Sequence, residues 1–422
     1  MTPENQKKYD EKLKRVTEAI ALKEPDRVPV SPPPELYPVF HAGYTMAEVI
    51  YDASLEKIRK AMIKYFQDFD PDTAWGGAMG FILAGEGPGM ELCKPKNMRW
   101  AGMPGDVIDK NSIHQFIEYP LLLDDEFDEF FSDRTGWTLR KAFPRLSGLT
   151  EHFSNFYVDA AFSNASIRML AAQLSSPAAK EMIKNLWAIE EFYQAFAAKA
   201  AEIEKEVEEM GYPNVTGGMA SVPFDDYSDF LRGSIESMTD LYERPKEIEK
   251  FIEARLEVTL DMIRSTKGIN DGKQVFMPLH KGMDGFMNDE HYRKYYWNHL
   301  QKIILAIIDS GKVPFIYTEG KYNSRLDCLT EVPPGKVFYH FEEVDMAVAK
   351  KKLGGIACIA GGFRSTLLDW GTPEEVREEV KRQIDACAPG GGYIFETSCG
   401  IGNAKRENVE AMFEAAREFG KY

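Results

Sequence analysis

The sequence predicts an α/β protein folded as a distorted (β/α)8 barrel with an extra helix at its N-terminus. Three observations carry this. Strand and helix signals alternate from the middle of the chain to its end. The strand segments are short and apolar on both faces, as in a sheet covered by helices. Eight such strands can be counted, the number that closes a barrel. An open doubly wound sheet is the competing architecture, but no glycine-rich nucleotide fingerprint follows the first strand.

The elements follow in order. Thr2-Pro3-Glu4 opens a charged helix, with Thr2 as cap, Pro3 at the first helical position and Tyr9, Leu13, Val16 and Ile20 as its apolar stripe. The segment 27–30 is a first strand that exits into Ser31-Pro32-Pro33-Pro34. Residues 47–66 read as a helix and 72–77 as a second strand. Residues 78–160 are irregular and rich in Gly, Pro, Met, Trp and Asp. This is too long for a plain connector and predicts a lid or pocket-wall insertion within one domain spanning 1–422. A long amphipathic helix over 178–210 is stopped by Gly211 and Pro213. Strands at 214–218, 274–280, 313–319, 336–340, 355–360 and 392–397 complete the count, with helices between most of them, such as 289–310. Thr372-Pro373-Glu374-Glu375 is a capping box. Gly390-Gly391-Gly392 precedes its strand, so it makes a tight turn and not a phosphate cradle.

Composition narrows the function. The 422 residues carry 51 basic and 67 acidic side chains, a net charge of −16. Nucleic acid and anionic membrane surfaces need basic patches, so neither is an expected partner. No apolar run approaches the roughly 20 residues that span a bilayer. The N-terminus reads as a charged helix and not as a signal peptide. The five cysteines include no CxxC pair, which points to reduced thiols in a cytoplasmic protein and not to a disulfide framework.

In a barrel the C-terminal ends of the strands converge on one mouth. Glu319, His340 and Cys399 each end a predicted strand or lie just beyond one, so they are predicted to share that space. A carboxylate, an imidazole and a thiolate are standard Zn2+ ligands, and three protein ligands leave a fourth position open for substrate. Each has a plainer reading: a solvated glutamate paired to Lys321 or Arg325, a satisfied core histidine, a cysteine small enough for a turn. His280 ends another strand, where it could contact substrate, serve as a fourth ligand or hydrogen-bond the fold. Phe224, Asp225 and Asp226 follow the strand at 214–218 and are candidate substrate contacts; the aspartates could equally cap a helix or orient a ligand. Phe81, Trp100, Phe224 and Phe286 could wall an apolar pocket, or simply pack the core.

The chain resembles the uroporphyrinogen decarboxylase superfamily, and within it the zinc-dependent methyltransferases that work with corrinoid proteins. The resemblance rests on Pro25 to Val30, Asp229 to Gly233, Met238 to Pro245, Asp345 to Lys350 with Gly354, Gly371 to Val376, Pro389 to Gly392 and Cys399-Gly400-Ile401. It implies a distorted (β/α)8 barrel with its site at the mouth. The decarboxylase carries an arginine-rich stretch after the first strand; here that stretch is Ser31-Pro32-Pro33-Pro34-Glu35. Thiol methyltransferases of this kind carry His-x-Cys-Gly where this chain has Tyr317-Thr318-Glu319-Gly320. The resemblance therefore implies a methyltransferase that moves a methyl group from a small, methoxylated and aromatic donor to the Co(I) of a corrinoid-binding partner protein. Glu319, His340 and Cys399 would be the zinc ligands in that reading, and Tyr317 and His280 would serve the chemistry at the departing oxygen. Transfer from a methylcorrinoid protein to a thiol, a metal-free lyase and a non-catalytic binder are the competing functions. A homo-oligomer is compatible with the sequence.

Overall fold

The computed structural model describes residues 1–75, 82–105, 107–157, 164–266 and 271–422. Five parallel strands form its continuous sheet in the order β3 (Thr216–Met219), β4 (Gln274–Leu279), β5 (Val313–Lys321), β6 (Phe338–Glu343) and β7 (Cys358–Gly361). A separate antiparallel ribbon pairs β1 (Met98–Arg99) with β2 (Gln115–Phe116).

The remaining three strand positions close the ring by shorter pairings. Beyond β7, Ile394 N–H donates to the Ile359 carbonyl at 3.1 Å. Phe395 N–H then donates to the Pro29 carbonyl at 2.8 Å, and Ser31 N–H to Phe395 at 3.0 Å. Asp72 N–H donates to Val30 at 2.8 Å, and Ala74 N–H to Pro213 at 2.9 Å, which leads back to β3. All eight predicted strands thus occupy the ring, as a (β/α)8 barrel requires. The second strand is described only through Trp75; Gly76, Gly77 and Phe81 lie outside the described residues.

Strands β5, β6 and β7 bury both faces along most of their length, but against different partners. Ile316, Tyr339, Phe341, Ile359, Tyr393 and Phe395 join the large core under the surrounding helices. Their alternating neighbours Phe315, Tyr317, Phe338, Cys358, Ala360 and Ile394 form a second, inner cluster. This is the period of two of a strand, expressed as inside and outside of the barrel. Phe276, Phe315, Phe338 and Cys358 stand in one register row, and Tyr317, His340 and Ala360 in the next.

The N-terminal helix (Pro3–Ile20) plugs the bottom of the ring, with Val16, Ala19 and Ile20 inserted into the inner cluster. Thr2 accepts from Asn5 N–H, the expected cap. Arg15 reaches the fully buried Asp72 at 2.6 Å and Asp26 at 2.7 Å, and Arg27 meets Asp72 at 2.6 Å. Asp72 also accepts from Val30 N–H at 2.7 Å, so one carboxylate ties helix, first strand and second strand together.

The predicted helix over 47–66 is two helices, Met46–Ile50 and Glu56–Phe69, because Leu55 between them takes a left-handed φ of 61°. The predicted strand ending at His340 runs on to Glu343, since Phe341 continues the pairing with Thr318 and Gly361. The long helix (Pro177–Glu209), the capping box at Thr372 and the left-handed triplet Gly390, Gly391 and Gly392 are as expected. Among the described residues no helix is long and apolar enough to cross a membrane.

Candidate active site

Three layers of inward side chains stack along the barrel axis. The lowest is apolar and surrounds a cavity of about 490 Å3 lined by Trp75, Phe276, Phe315, Phe338, Ile394 and Glu396, among others. Leu83 and His114 of the long excursion are also among its lining residues. No Lys or Arg lines the cavity among the described residues.

The middle layer is Tyr317, His340 and Glu396. Tyr317 stacks on His340 with ring centroids 4.1 Å apart and planes 8° apart. His340 is fully buried, with Nδ1 2.6 Å from the Glu396 carboxylate and Nε2 3.1 Å from the Ser398 carbonyl. A carbonyl only accepts, so Nε2 carries a proton and Nδ1 shares one with Glu396. Burial raises the Glu396 carboxyl, and its hydrogen bond to His340 opposes this. Burial also holds the Tyr317 phenol well above its ordinary value, with Cys399 and Glu35 adding to it.

The upper layer is the mouth. His280 Nδ1 lies 2.5 Å from Asp229, and Nε2 lies 3.5 Å from Glu319. Lys281 Nζ is 2.9 Å from Asp229. Burial lowers the His280 pKa, but the hydrogen bonds to Asp229 and Glu319 outweigh it and push it up to about 11, so the ring is imidazolium at neutral pH. The buried Asp225 accepts from Tyr296 Oη at 2.6 Å, Lys281 N–H at 2.9 Å and His280 N–H at 3.2 Å. Burial and the neighbouring Asp229 raise it to about 7. Glu342 accepts from Gly320 N–H. Glu35 sits at a left-handed φ of 38°, a conformation that costs a non-glycine residue about 1–2 kcal/mol. Its carboxyl lies across Gly400, where a Cβ would collide with it. Burial and the nearby Glu319 raise its pKa.

The candidate residues fare differently. Tyr317, His280 and Glu319 are inward, and Asp225 supports the mouth through the His280 backbone. Asp226 instead accepts from Ser221 at 3.0 Å and Arg255 at 2.5 Å, away from the cavity. Phe224 is fully buried in the outer core against Phe286 and Tyr296 and does not line the cavity. Trp100 packs beside Tyr51, to which its indole N–H donates at 3.2 Å.

The proposed zinc triad needs correction at His340. That residue is inside its strand, not at the end, and both ring nitrogens are engaged. Cys399 Sγ lies 2.9 Å from Ser365 Oγ, and burial raises its thiol. Among the described residues no three His, Cys, Asp or Glu side chains are grouped to hold a metal ion. Glu319, His340 and Cys399 as they stand do not fit a Zn2+ ion.

Sequence reasoning passed over Glu35, Asp229, Glu342 and Glu396, as well as the inner rings Trp75, Phe276 and Phe315. Stepping back by two from His280 and Glu319 reaches Phe276 and Phe315, a signal that was present in the strands. Asp229 lies 51 positions before His280, and nothing local connects them.

Comparison with known proteins places this barrel. Residues 170–419 match the profile of the uroporphyrinogen decarboxylase (URO-D) family. The chain belongs to the uroporphyrinogen decarboxylase family. Uroporphyrinogen decarboxylase from Pseudoalteromonas translucida is 20% identical over 222 residues, 52% of this chain and 61% of the relative. That from Methylococcus capsulatus is 23% identical over 138 residues, 32% of this chain and 39% of the relative. The matches span about half the length of these relatives. A methyltransferase from Methanosarcina mazei has the same fold, with a TM-score of 0.57, 14% identity, and coverage of 96% of this chain and 98% of that one.

Proposed function

We propose that this family member is a methyltransferase, not a porphyrinogen decarboxylase. It would hold a small methylated donor in the barrel cavity and pass the methyl group to the Co(I) of a corrinoid carried by a partner protein at the mouth. The observation that carries this reading is the charge of the site. A uroporphyrinogen presents many carboxylates and needs cationic side chains to hold them. Here Glu35, Asp225, Asp229, Glu319 and Glu342 outnumber His280 and Lys281, and the segment after the first strand is proline-rich with no arginine. The cavity below, about 490 Å3, suits a small apolar molecule. The shared fold with a methyltransferase supports the same reading.

The chain's own residues have definable parts. Tyr317, protonated and inward, can donate a hydrogen bond toward the upper cavity. His280, fixed by Asp229, places a lasting positive charge at the mouth without exchanging its proton near neutral pH. The aromatic floor excludes water from a transferring methyl group. The corrinoid would supply the nucleophile. No step is assigned to zinc, because His340 offers no free nitrogen.

The test pairs two assays on the purified protein. Incubation with a reduced corrinoid protein and a panel of methylated donors should consume Co(I) and yield methyl-cobalt. Incubation with uroporphyrinogen should release no CO2. Decarboxylation without methyl transfer reverses the assignment.

A further inference from the structure

Resting on the methyl-transfer reading, we propose that the partner protein seats beside the barrel mouth, on an apolar face built by the helix Ser234–Glu243 and the β1–β2 ribbon, and that it meets this face with an apolar patch rimmed by basic side chains.

The first argument is the helix. A surface helix normally turns its apolar stripe inward and its polar residues out. Helix Ser234–Glu243 buries Ser237 and Asp240 beside Leu241. Ser237 Oγ meets Ser228 Oγ at 2.7 Å, and Asp240 accepts from Tyr227 Oη at 2.6 Å and from Arg232 Nε at 2.7 Å. Polar contacts therefore fix the inner side. The outer side carries Ile235, Met238 and Tyr242, spaced three and four apart along one stripe. Ile235 is 77% exposed and Tyr242 70%.

The second argument is contiguity. Phe230, 57% exposed, lies one turn before the helix and meets Phe116 of β2 edge to face at 6.1 Å. Ile117, beside Phe116, is exposed as well. Glu118 then accepts from the Ser234 N–H and hydroxyl, so ribbon and helix share one surface. Single exposed apolar side chains are ordinary on a protein surface, whereas a contiguous set marks an interaction site.

The third argument is place. Asp229, next to Phe230, holds His280 at 2.5 Å and Lys281 at 2.9 Å. A protein resting on the face borders the strand ends, where the methyl group must be handed over.

The fourth argument is charge, which selects the occupant. Residues 113–125 and 230–243 hold six carboxylates, of Glu118, Asp124, Asp125, Glu236, Asp240 and Glu243, against Arg232 as their one Arg or Lys. Arg232 is buried, between Asp124 and Asp240. A second copy of this chain on the same face would set acid against acid. A basic rim is attracted and steered to it.

The experiment titrates the purified protein with the corrinoid protein of the transfer assay, loaded with hydroxocobalamin, by calorimetry. Ile235→Asp and Tyr242→Asp should each raise Kd about tenfold, as centrally placed apolar contacts do. Added salt should weaken binding, because a basic rim meets an acidic one. Should either variant not fold, Phe230→Ser gives the same comparison. Methyl transfer to free cob(I)alamin, which requires no docking, should be unchanged in every variant. Unchanged Kd in these variants, or no binding by the wild-type chain, overturns the proposal. A wild-type dimer in sedimentation that Tyr242→Asp splits also overturns it and gives the face to a second copy. The transfer assay separates this from the underlying reading. Methylation of carried cobalt with Kd unchanged in the variants leaves methyl transfer intact and overturns the docking face. Binding that depends on Ile235 and Tyr242, with no methylation of free or carried cobalt by any donor, supports the face and overturns the methyltransferase reading.

Discussion

The two ends of the barrel handle buried charge in opposite ways. At the floor, Asp72 is fully buried yet satisfied by Arg15 of the N-terminal helix and by Arg27 and the Val30 amide of the first strand. At the mouth, the carboxylates of Asp225, Asp229, Glu319, Glu342 and Glu35 stand against two cations among the described residues, His280 and Lys281. Balanced charge in a closed setting holds the fold together, while at the mouth burial, with a neighbouring carboxylate adding to it, raises Asp225 and Glu35. The contrast separates a structural network from a functional one without reference to any ligand: the floor gains nothing further by binding a counter-charge, and the mouth does.

The largest test of that contrast is at the floor. Asp72→Ala leaves Arg27 without its carboxylate and Arg15 with Asp26 alone, and it removes the link between the first two strands. Unfolding free energy should fall by about 3–5 kcal/mol, read from chemical denaturation. Methyl transfer by the fraction that remains folded should be unchanged, since no part of the network reaches the cavity. A loss under about 1 kcal/mol means that closure of the ring does not depend on this carboxylate.

At the mouth the effects should exchange places. Glu319 is half exposed, and its contact with His280 is 3.5 Å, so Glu319→Gln should shift stability by no more than about 0.5 kcal/mol. Removing the carboxylate beside His280 Nε2 should lower the rate of methyl transfer about tenfold, equivalent to about 1.4 kcal/mol. A rate that is unmoved while Tm drops would place Glu319 with the structural network.

How much of this could be read from the sequence follows from the same physics. The strand positions and the two capping motifs were legible, because turn and cap residues act locally. Which face of each strand looks inward was not. Val275, Phe276, Met277 and Leu279 are apolar throughout, since helices cover one face and the barrel interior the other. Only a polar residue at a strand end breaks the tie, and His280 and Glu319 did so for their strands. His340 misled for the complementary reason: Tyr339-His340-Phe341 gives no stop signal, so a mid-strand residue read as a terminal one. Glu35 and Asp229 reach the site from a loop and a helix, by contacts that no spacing rule encodes.

A pH dependence divides the mouth itself. Asp225 titrates in the folded protein at about 7, above its ordinary carboxylate value. The folded state therefore keeps a proton that the unfolded chain has already released, and stability falls as pH rises from about 4 to about 7, by on the order of 4 kcal/mol. His280 is also raised, to about 11. Its contribution is complete below its unfolded value of about 6.5 and is lost as pH rises through about 11. Both act in the same direction but in adjoining windows. In melting curves recorded from pH 4 to 11, Asp225→Asn should flatten the acidic half of the decline and His280→Gln the alkaline half. Asp229 touches His280 and Lys281, and Glu319 touches His280, so these are the charged side chains that face the two groups. If one substitution flattens both halves, the two residues titrate as a single unit, and the mouth is one network and not a carboxylate supporting a fixed cation.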